Sequence, residues 1–439
     1  MLTAKHKTGL VFFPAFDWAI SPTHPEREER LLYTQDQVIE EGLLDVEGIV
    51  ELKPDLVTKK DIERVHFCLP DVWRAATESH FISAGGAKTV GMAVMEGTVE
   101  KGFALVRPPG HHAMRVVQGA RGFCNINIEA VMLEYLRRAY GVERVAIVDT
   151  DCHHGDGTQD IYWHDPDTLF ISIHQDGRTL YPGSGFTDEW GGPTAAGTTL
   201  NIPLPPGTCD EGFLYIIDEV VNPILQKFQP QLIINSAGQD NHYSDPITHM
   251  NFSAQGYAQL TTKLGAHIAV LEGGYAIEGA LPYTNAGIIA AMAGLDYAGI
   301  VEPDYDPERM RQSEQISRYI ERVAQDVLRI WHSRDALWQK MGTPGTFHQR
   351  RRSIYYDTDQ INEDQLEVLR VCDRCSGVLK IESAARPGWK MQGVHIPRKA
   401  CGDCRGQGLV WHEGADSRKF ELACLQDRPR DEYQVRKLR

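Results

Sequence analysis

Residues 145–157 read VAIVDTDCHHGDG, an apolar run followed at once by carboxylates and imidazoles. Such a run predicts a short buried strand. Asp151 and His153 are two residues apart, so on extended backbone their side chains project from the same face, as a shared metal ion requires. An imidazole with carboxylates suits zinc, and three protein ligands leave one position open for water. Taken alone, the motif also fits a polar loop with a structural aspartate and histidine.

Five more apolar runs are spaced so that a helix fits between most neighbours. They cover residues 9–13, 102–106, 168–174, 232–236 and 266–271. This pattern predicts a parallel sheet with helices on both faces. Ligands bind such sheets outside the carboxyl ends of the strands, and Asp149, His174 and Asp240 lie at or just after an apolar run. The sequence therefore predicts an α/β domain with its site at that edge.

The composition is that of a folded protein, because 42% of the 439 residues are hydrophobic and 24% are charged. The net charge of −15 argues against a protein whose main task is to wrap nucleic acid. Residues 366–439 carry 15 Lys or Arg and 10 Asp or Glu, a balance of +5, which leaves −20 on the first 365 residues. The acidic part can attract cationic substrates, although a solvated surface has the same composition.

The sequence predicts a cytoplasmic protein. Residues 1–13 lack the apolar core of a signal peptide, and no later run approaches the length of a membrane span. Of the nine cysteines, five are scattered and four form two C-x-x-C pairs. This distribution suits a reducing compartment and a metal better than a disulfide framework.

A second polar cluster follows the run 102–106. Residues 107–112 read RPPGHH, and His111 and His112 after a Pro-Gly turn are held by rigid backbone, as general acid–base groups should be. Each histidine needs a carboxylate to set its tautomer and basicity. Asp149 and Asp156 flank the metal motif and are the candidates.

Two later segments carry a third and a fourth group of polar residues. Residues 233–240 read IINSAGQD and place Asp240 just past an apolar strand. Residues 271–275 read LEGGY, so Tyr275 lies on a glycine-flanked turn that is free to present the phenol inward.

At these residues the chain resembles the zinc-dependent histone deacetylase family, together with its acetylpolyamine amidohydrolase and acetoin-utilisation relatives. The resemblance runs from about Leu10 to Gly294 and includes three further motifs, HPER (24–27), GFCNIN (122–127) and YPGSG (181–185). It implies the fold of that family, an arginase-like open α/β sheet of eight mostly parallel strands flanked by helices. The strand pattern agrees with this implication.

The resemblance implies two metal sites in the catalytic domain. Asp151, His153 and Asp240 match the three ligands of the family's catalytic zinc. The family also binds potassium near the first aspartate of the motif, and the matching positions are Asp149, Asp151, His153 and Ser172.

The resemblance also implies a mechanism. His112, hydrogen-bonded to Asp156, matches the base that takes a proton from a zinc-activated water, and His111 with Asp149 matches its electrostatic partner. Tyr275 matches the tyrosine that stabilises the oxyanion. We therefore expect hydrolysis of an acetyl or other short acyl amide, with zinc as the catalytic cofactor.

Three residues match the substrate site of the family. Phe123 and Tyr181 correspond to the aromatic walls of a narrow acyl-lysine tunnel, although an aromatic side chain more commonly packs in a core. Ile247 lies at a rim position where one type of polyamine-selective relative carries an acidic residue, and it favours acyl-lysine or a neutral substrate. Asn127-Ile128 departs from the Asn-Asn of many relatives, which affects local hydrogen bonding and not the metal site.

The C-terminal part predicts a separate structural zinc domain. Two C-x-x-C pairs with 25 residues between them indicate a closed four-sulfur site that resembles a zinc ribbon; a redox-active dithiol is the lesser interpretation. Residues 379–382 and 408–412 are expected to form strands, and the basic balance permits docking of protein or nucleic acid. The predicted ligands are Cys372, Cys375, Cys401 and Cys404.

The predicted layout is a catalytic domain (1–303), a helical bridge and linker (304–364) and the zinc domain (365–439). The bridge carries an amphipathic helix within 309–333 and is a candidate surface for a homo-oligomer. The expected partner is an acylated amine: acyl-lysine in a protein or peptide first, an acetylpolyamine second, with no membrane partner. From another class comes a weakly active binding module that docks protein or nucleic acid through its zinc domain. An arginase-like hydrolase with two manganese ions shares the fold. However, the sequence shows the ligands of only one such metal.

Overall fold

The structure is a computed structural model that describes residues 2–341 and 343–439. The chain forms an eight-stranded sheet, a six-stranded sheet and a two-stranded ribbon. The strands are β1 Thr3–Phe13, β2 Glu47–Glu51, β3 Phe67–Cys68, β4 Lys101–Val106, β5 Val116–Val117, β6 Val145–Asp149, β7 Thr168–Gln175, β8 Thr199–Leu204, β9 Leu232–Ala237, β10 Ile268–Leu271, β11 Phe347–Tyr356, β12 Ile361–Arg370, β13 Val378–Arg386, β14 Lys390–Ile396, β15 Leu422–Asp427 and β16 Glu432–Lys437.

Helices surround the larger sheet, and one packs on the smaller sheet. A π-helical turn, Ile217–Val221, joins α7 to α8, and 3₁₀ turns cover Glu28–Leu31 and Leu43–Asp45. The α-helices are α1 Leu32–Glu40, α2 Lys59–Glu63, α3 Val72–Ala75, α4 Glu78–Met95, α5 Ile128–Tyr140, α6 Asp156–Tyr162, α7 Asp210–Ile216, α8 Asn222–Phe228, α9 Ala254–Leu264, α10 Leu281–Ala293, α11 Glu314–Met341 and α12 Gly402–Glu413.

The eight-stranded sheet is parallel throughout, in the order β2-β1-β4-β10-β9-β6-β7-β8. Its two faces bury separate apolar clusters. On β6, Val145 and Ile147 join the cluster formed with α4 and α5, whereas Ala146 and Val148 join the cluster formed with α7, α9 and α10. Because side chains alternate along a strand, a continuous apolar run is what burial on both faces requires.

All six strands predicted from apolar runs are confirmed, as parts of β1, β4, β6, β7, β9 and β10. The two strands that the sequence did not reveal, β2 and β8, form the two edges of the sheet. β2 is short and carries Glu47 and Glu51, and β8 includes Asn201 and Pro203, so neither has a long apolar run.

The predicted amphipathic helix is α11, and its apolar stripe is buried within the same chain. Ile320, Val323, Val327 and Trp331 are spaced along one helical face and pack against the main core beside β8 and α7. The apolar stripe that suggested a surface for a homo-oligomer is therefore covered by residues of the same chain.

The six-stranded sheet runs in sequence order, β11 to β16, and is antiparallel except for the parallel pair β14–β15, which α12 connects. It begins at Phe347, inside the stretch that the sequence assigned to a linker. The sequence shows no strand signal here, because Arg350 and Arg352 alternate with polar neighbours and no apolar run is present. The two arginine side chains form ion pairs with Asp160 and Glu367 instead of filling an apolar core.

One strand prediction in the C-terminal domain is wrong. Residues 408–412 lie in α12, not in a strand. Gly408 lies close to Ile396 and Val378 of the sheet, so the glycine lets the helix pack against the strands. The predicted strand 379–382 is confirmed within β13.

The C-terminal sheet packs directly on the catalytic domain. Phe67 and Val116 of the β3–β5 ribbon share an apolar cluster with Leu369 and Ile381. The hydroxyl of Tyr356 donates a hydrogen bond to the carbonyl of Val116 over 2.7 Å. Among the described residues, none of the helices has the length and apolar composition needed to cross a membrane.

Candidate active site

Three predicted metal ligands meet at the carboxyl edge of the large sheet. Asp151 and His153 follow β6, and Asp240 follows the neighbouring strand β9. The ligand atoms of these three buried residues lie within 4.8 Å of one another, and Nδ1 of His153 is 2.8 Å from Oδ2 of Asp240. Two carboxylates and one imidazole form a donor set that fits zinc with one position free.

Backbone groups from neighbouring turns hold the ligand carboxylates. The amide of Gly273 donates to Oδ2 of Asp151 over 2.7 Å, and the amide of Cys152 donates to Oδ1 of Asp240 over 2.7 Å. A Cβ atom at Gly238 or Gly273 would collide with Asp151, so both positions require glycine for this close approach.

The paired histidines lie beside the metal ligands, and each has its predicted carboxylate. Nδ1 of His111 is 3.0 Å from Oδ2 of Asp149, and Nδ1 of His112 is 2.7 Å from Oδ1 of Asp156. The ionised carboxylate of Asp156 only accepts hydrogen bonds, so Nδ1 of His112 carries the proton and Nε2 of His112 is left free. Nε2 of His111 lies 3.8 Å from Oδ1 of Asp151.

The electrostatic surroundings keep His112 neutral. Burial, together with the charge of His111, lowers the pKa of His112 to about 3. Burial alone raises the pKa of Asp156, but Arg121 and the hydrogen bond from His112 hold it well below its usual range. A neutral imidazole backed by an ionised carboxylate has the arrangement of a general base.

Tyr275 lies on a turn that buried ion pairs and hydrogen bonds hold in place. Its amide donates to Oδ2 of Asp245 over 2.8 Å, and the guanidinium of Arg30 lies 5.0 Å from its ring centre. Burial raises the pKa of the Tyr275 phenol well above its ordinary value, so the hydroxyl keeps its proton. It is therefore available as a hydrogen-bond donor.

The network beneath this turn was not predicted from the sequence. Glu26, from the HPER motif, is fully buried between Arg30 and Arg107 at 2.8 and 2.7 Å. Arg30 donates to the carbonyls of Glu272 and Gly274. Glu26 lies in the HPER motif and Arg30 follows it by four residues, but nothing local indicates that the two support a turn near residue 274.

The histidines, the turn and aromatic side chains enclose a cavity of about 320 Å³. This volume is in the lower part of the range for small-molecule sites. Phe123 is edge-on to Tyr275 at 5.7 Å, and Tyr181 is edge-on to His112 at 5.2 Å. The lining consists of Pro109, His111, His112, Gly122, Phe123, His153, Leu180, Tyr181, Ile247, Gly273, Tyr275 and Asp357. The three predicted substrate residues therefore line one cavity.

The C-terminal domain contributes directly to this site, which the sequence did not reveal. Asp357, in the turn between β11 and β12, lines the cavity. Arg121 donates to Oδ2 of Asp156 from Nε at 2.8 Å and also donates to the carbonyl of Tyr355. One arginine thus connects the carboxylate behind His112 to the C-terminal sheet.

The four predicted cysteine ligands come together at the far end of the C-terminal domain, where their sulfur atoms lie within 4.8 Å of one another. Sγ of Cys372 is 3.8 Å from Sγ of Cys401. Four sulfurs at about 2.3 Å from a tetrahedral zinc ion are about 3.8 Å apart, so this spacing fits zinc. Arg370 donates to Sγ of Cys404 over 2.9 Å, which stabilises thiolate charge.

At the strand ends of a parallel sheet, a metal-ligand set with a free position lies beside a cavity that one of its ligands, a carboxylate-backed imidazole and a buried phenol line. This combination defines the class of metal-dependent hydrolases.

Comparison with known proteins narrows the class. The histone deacetylase domain matches residues 67–291. A probable deacetylase of Archaeoglobus fulgidus is 44% identical over 357 residues, covering 74% of this chain and 98% of that protein. An acetylpolyamine amidohydrolase of Burkholderia pseudomallei is 37% identical over 211 residues, 47% of this chain and 59% of that protein. The crystal structure of the HDA15 HD domain superposes with a TM-score of 0.65 at 27% identity, covering 76% of this chain and 98% of that one.

The chain belongs to the histone deacetylase family. It is accordingly a deacetylase of the zinc-dependent amidohydrolase class, acting on acetylated amines.

Proposed function

We propose that this chain hydrolyses acyl-lysine or a related acylated amine, with short acyl groups, at the cavity that His153 lines beside the other metal ligands, Asp151 and Asp240. One observation carries the proposal. His153, the two carboxylate-backed histidines and the phenol of Tyr275 line one cavity of about 320 Å³, and the other two ligands, Asp151 and Asp240, lie against His153, although these residues come from four separate segments of the chain. A fold used only for binding does not require this set.

Asp151, His153 and Asp240 would hold zinc, which when bound would polarise the acyl carbonyl and lower the pKa of a water molecule. His112 then performs the proton transfers. Its free Nε2 accepts a proton from the attacking water, and Asp156 at Nδ1 stabilises the imidazolium that results. The same Nε2 gives that proton to the leaving amine, which prevents the amide from reforming.

His111 and Tyr275 act on charge. His111 is held by Asp149 beside the ligand Asp151, where it acts as an electrostatic partner and makes no proton transfer. The protonated phenol of Tyr275 donates a hydrogen bond to the carbonyl oxygen as negative charge develops there. Because the turn is fixed before substrate binds, little reorganisation is needed during the reaction.

The cavity walls favour an extended acylated amine chain. Phe123 and Tyr181 present aromatic rings to the cavity, and Ile247 adds an apolar rim contact. These walls fit the methylene chain of acyl-lysine. An acetylpolyamine is the alternative substrate, because its methylene chain has the same cross-section and one relative is an acetylpolyamine amidohydrolase.

Two further ions belong to the proposal. Ser172 pairs with Asp149 across β6 and β7, both are fully buried, and together with Asp151 and His153 they are the proposed potassium position. The four cysteines hold a structural zinc. None of the nine cysteines, all of them within the described residues, forms a disulfide, and we infer a reducing compartment, the cytoplasm, for this protein.

The test is acetate release from acetyl-lysine peptides and acetylpolyamines by the zinc-loaded chain, before and after chelation. In His112→Ala, turnover falls on the order of 10³-fold because general base catalysis is lost. In Tyr275→Phe it falls on the order of 10²-fold because one oxyanion donor is lost. His332→Ala, an exposed position on α11, is the matched control and keeps full activity. A zinc-loaded protein that releases no acetate from any substrate contradicts the proposal and favours the binding-module alternative.

A further inference from the structure

The turn between β11 and β12 reaches the mouth of the active-site cavity from the C-terminal domain. We call residues 357–360 the tip loop. Oδ1 of Asp357 accepts a hydrogen bond from the amide of Gly122 over 2.9 Å and one from the hydroxyl of Tyr181 over 3.1 Å. Two walls of the cavity are thus tied to one carboxylate that lies outside the matched deacetylase domain, residues 67–291.

The second oxygen of this carboxylate is free to bind something else. Among the described residues, Oδ2 of Asp357 has no hydrogen-bond or ion-pair partner within the chain. The side chain is half-buried and lines the cavity, so a ligand that fills the cavity can reach it. A carboxylate oxygen in such a position accepts hydrogen bonds, most strongly from a charged donor.

The charge around the mouth favours a cation as that donor. The cavity lining includes no lysine or arginine. The nearby Arg121 is already engaged, with Nε and Nη2 on Asp156 and Nη1 on the carbonyl of Tyr355. The other carboxylate of the tip loop, Asp359, accepts from the amide of Ala120 and does not line the cavity. Arg121 lies within electrostatic range of Asp357, but among the described residues it makes no hydrogen bond or ion pair with this carboxylate, so Oδ2 stays available to a cationic donor.

We propose that Asp357 is a specificity-determining residue that selects acylated amines carrying a second, positively charged amine, whose ammonium group donates to Oδ2. This inference rests on the deacetylase function proposed above and names its substrate class, a mono-acylated diamine or polyamine. The C-terminal domain then does more than bind structural zinc, because it supplies the residue that discriminates among substrates. A neutral amide N–H can donate to the same oxygen, but without the charge-assisted contribution.

The test compares two substrates of equal length, N-acetyl-1,4-diaminobutane and N-pentylacetamide, with the zinc-loaded full chain. The ratio of their kcat/KM values measures the preference for the cation. In Asp357→Asn, which keeps the shape and a hydrogen-bond acceptor, this ratio falls about tenfold, the scale of one charge-assisted hydrogen bond. Asp359→Asn removes the same charge from the same loop and leaves the ratio within about twofold.

A second measurement does not depend on any variant. In the unaltered protein the ratio declines as ionic strength rises, because a charge at the cavity mouth is screened. A ratio that Asp357→Asn leaves unchanged, or that salt does not affect, overturns the inference even if both substrates are hydrolysed. Absence of turnover with both substrates and with acetyl-lysine peptides instead refutes the deacetylase proposal itself, so the two failures are distinguishable.

Discussion

The two metal-ligand clusters of this chain are equally compact but built for different tasks. In both, the ligand atoms lie within 4.8 Å of one another. The cluster of Asp151, His153 and Asp240 has three ligands, of which His153 lines the active-site cavity, whereas the cysteine cluster has four and lies outside that cavity. A three-ligand site leaves zinc a position for water and substrate, and a four-sulfur site leaves none. Ligand number and access, not compactness, distinguish a catalytic from a structural site.

The clusters also differ in what assembles them. The catalytic ligands follow two strands, β6 and β9, so the large sheet must form before the site exists. The cysteines lie in the short connection between β12 and β13 and at the start of α12, so the metal itself can bring these segments together. We therefore expect that losing one ligand affects catalysis at the first site and local stability at the second.

The largest expected effect comes from the catalytic cluster. Asp240→Asn keeps the size of the side chain but removes the ligand charge, so the chain loses its catalytic metal. Because Lewis-acid stabilisation is worth several kcal/mol, acetate release falls on the order of 10³-fold or more. Elemental analysis is expected to show one zinc fewer per chain, with the cysteine-bound zinc retained. Full activity in Asp240→Asn would contradict the assignment of catalysis to this cluster.

A smaller effect on activity is expected from the cysteine cluster. Cys401→Ala loses the structural zinc, and the C-terminal domain becomes less stable because its segments lose their metal cross-link. Turnover falls less than about tenfold, since the tip loop and Arg121 support the catalytic residues but do not react. Thermal unfolding and metal content measure the two consequences.

The matched control is Cys424→Ala, because Cys424 is a buried free thiol of the same domain outside the cluster. It keeps both zinc ions and loses only about 1 kcal/mol of packing. Equal metal content in Cys401→Ala and Cys424→Ala would show that the four sulfurs hold no zinc.

The smallest effect concerns the ion pairs that join the two domains. Burial alone raises the pKa of Asp431, but hydrogen bonds from Arg64 and Lys60 hold it well below its usual range. A carboxylate with a depressed folded-state pKa stabilises the fold above its unfolded-state pKa, about 3.9, and this contribution is lost as pH falls through the folded-state value. Below about pH 4 the melting temperature should therefore decline.

Asp431→Asn tests this pH dependence. Because the variant lacks the titrating group, the difference in its melting temperature between pH 7 and pH 3 is smaller by about 2–4 °C than that of the unaltered chain. Asp17→Asn removes an exposed carboxylate that makes no ion pair among the described residues, and it serves as the control. An equal decline in all three proteins would show that the Arg64–Asp431 pair does not link pH to stability.

The sequence predicted the central sheet and the place where the candidate site residues meet, because both depend on local pattern. Apolar runs revealed the interior strands, and the polar residues after them fall together at the strand ends by the geometry of a parallel sheet. The edge strands β2 and β8 were missed because their exposed or polar positions interrupt such runs.

Features that depend on contacts between distant segments could not be predicted. Asp357 lies 235 residues from Gly122, and Arg107 lies 81 residues from Glu26. Nothing near either carboxylate in the sequence indicates its partner. The helix α12 was taken for a strand over 408–412 because its glycines and apolar residues fit either element, and packing on the sheet decides between them.

The central claim is that catalysis belongs to the carboxylate–imidazole site and structure to the cysteine site. Stepwise removal of zinc with a chelator, with metal content and acetate release measured at each step, tests it most directly. The account predicts two zinc ions per chain, with activity lost together with the ion at Asp151, His153 and Asp240 and restored when that ion is returned. Acetate release that persists without this ion, or that follows only the cysteine-bound zinc, would contradict the account.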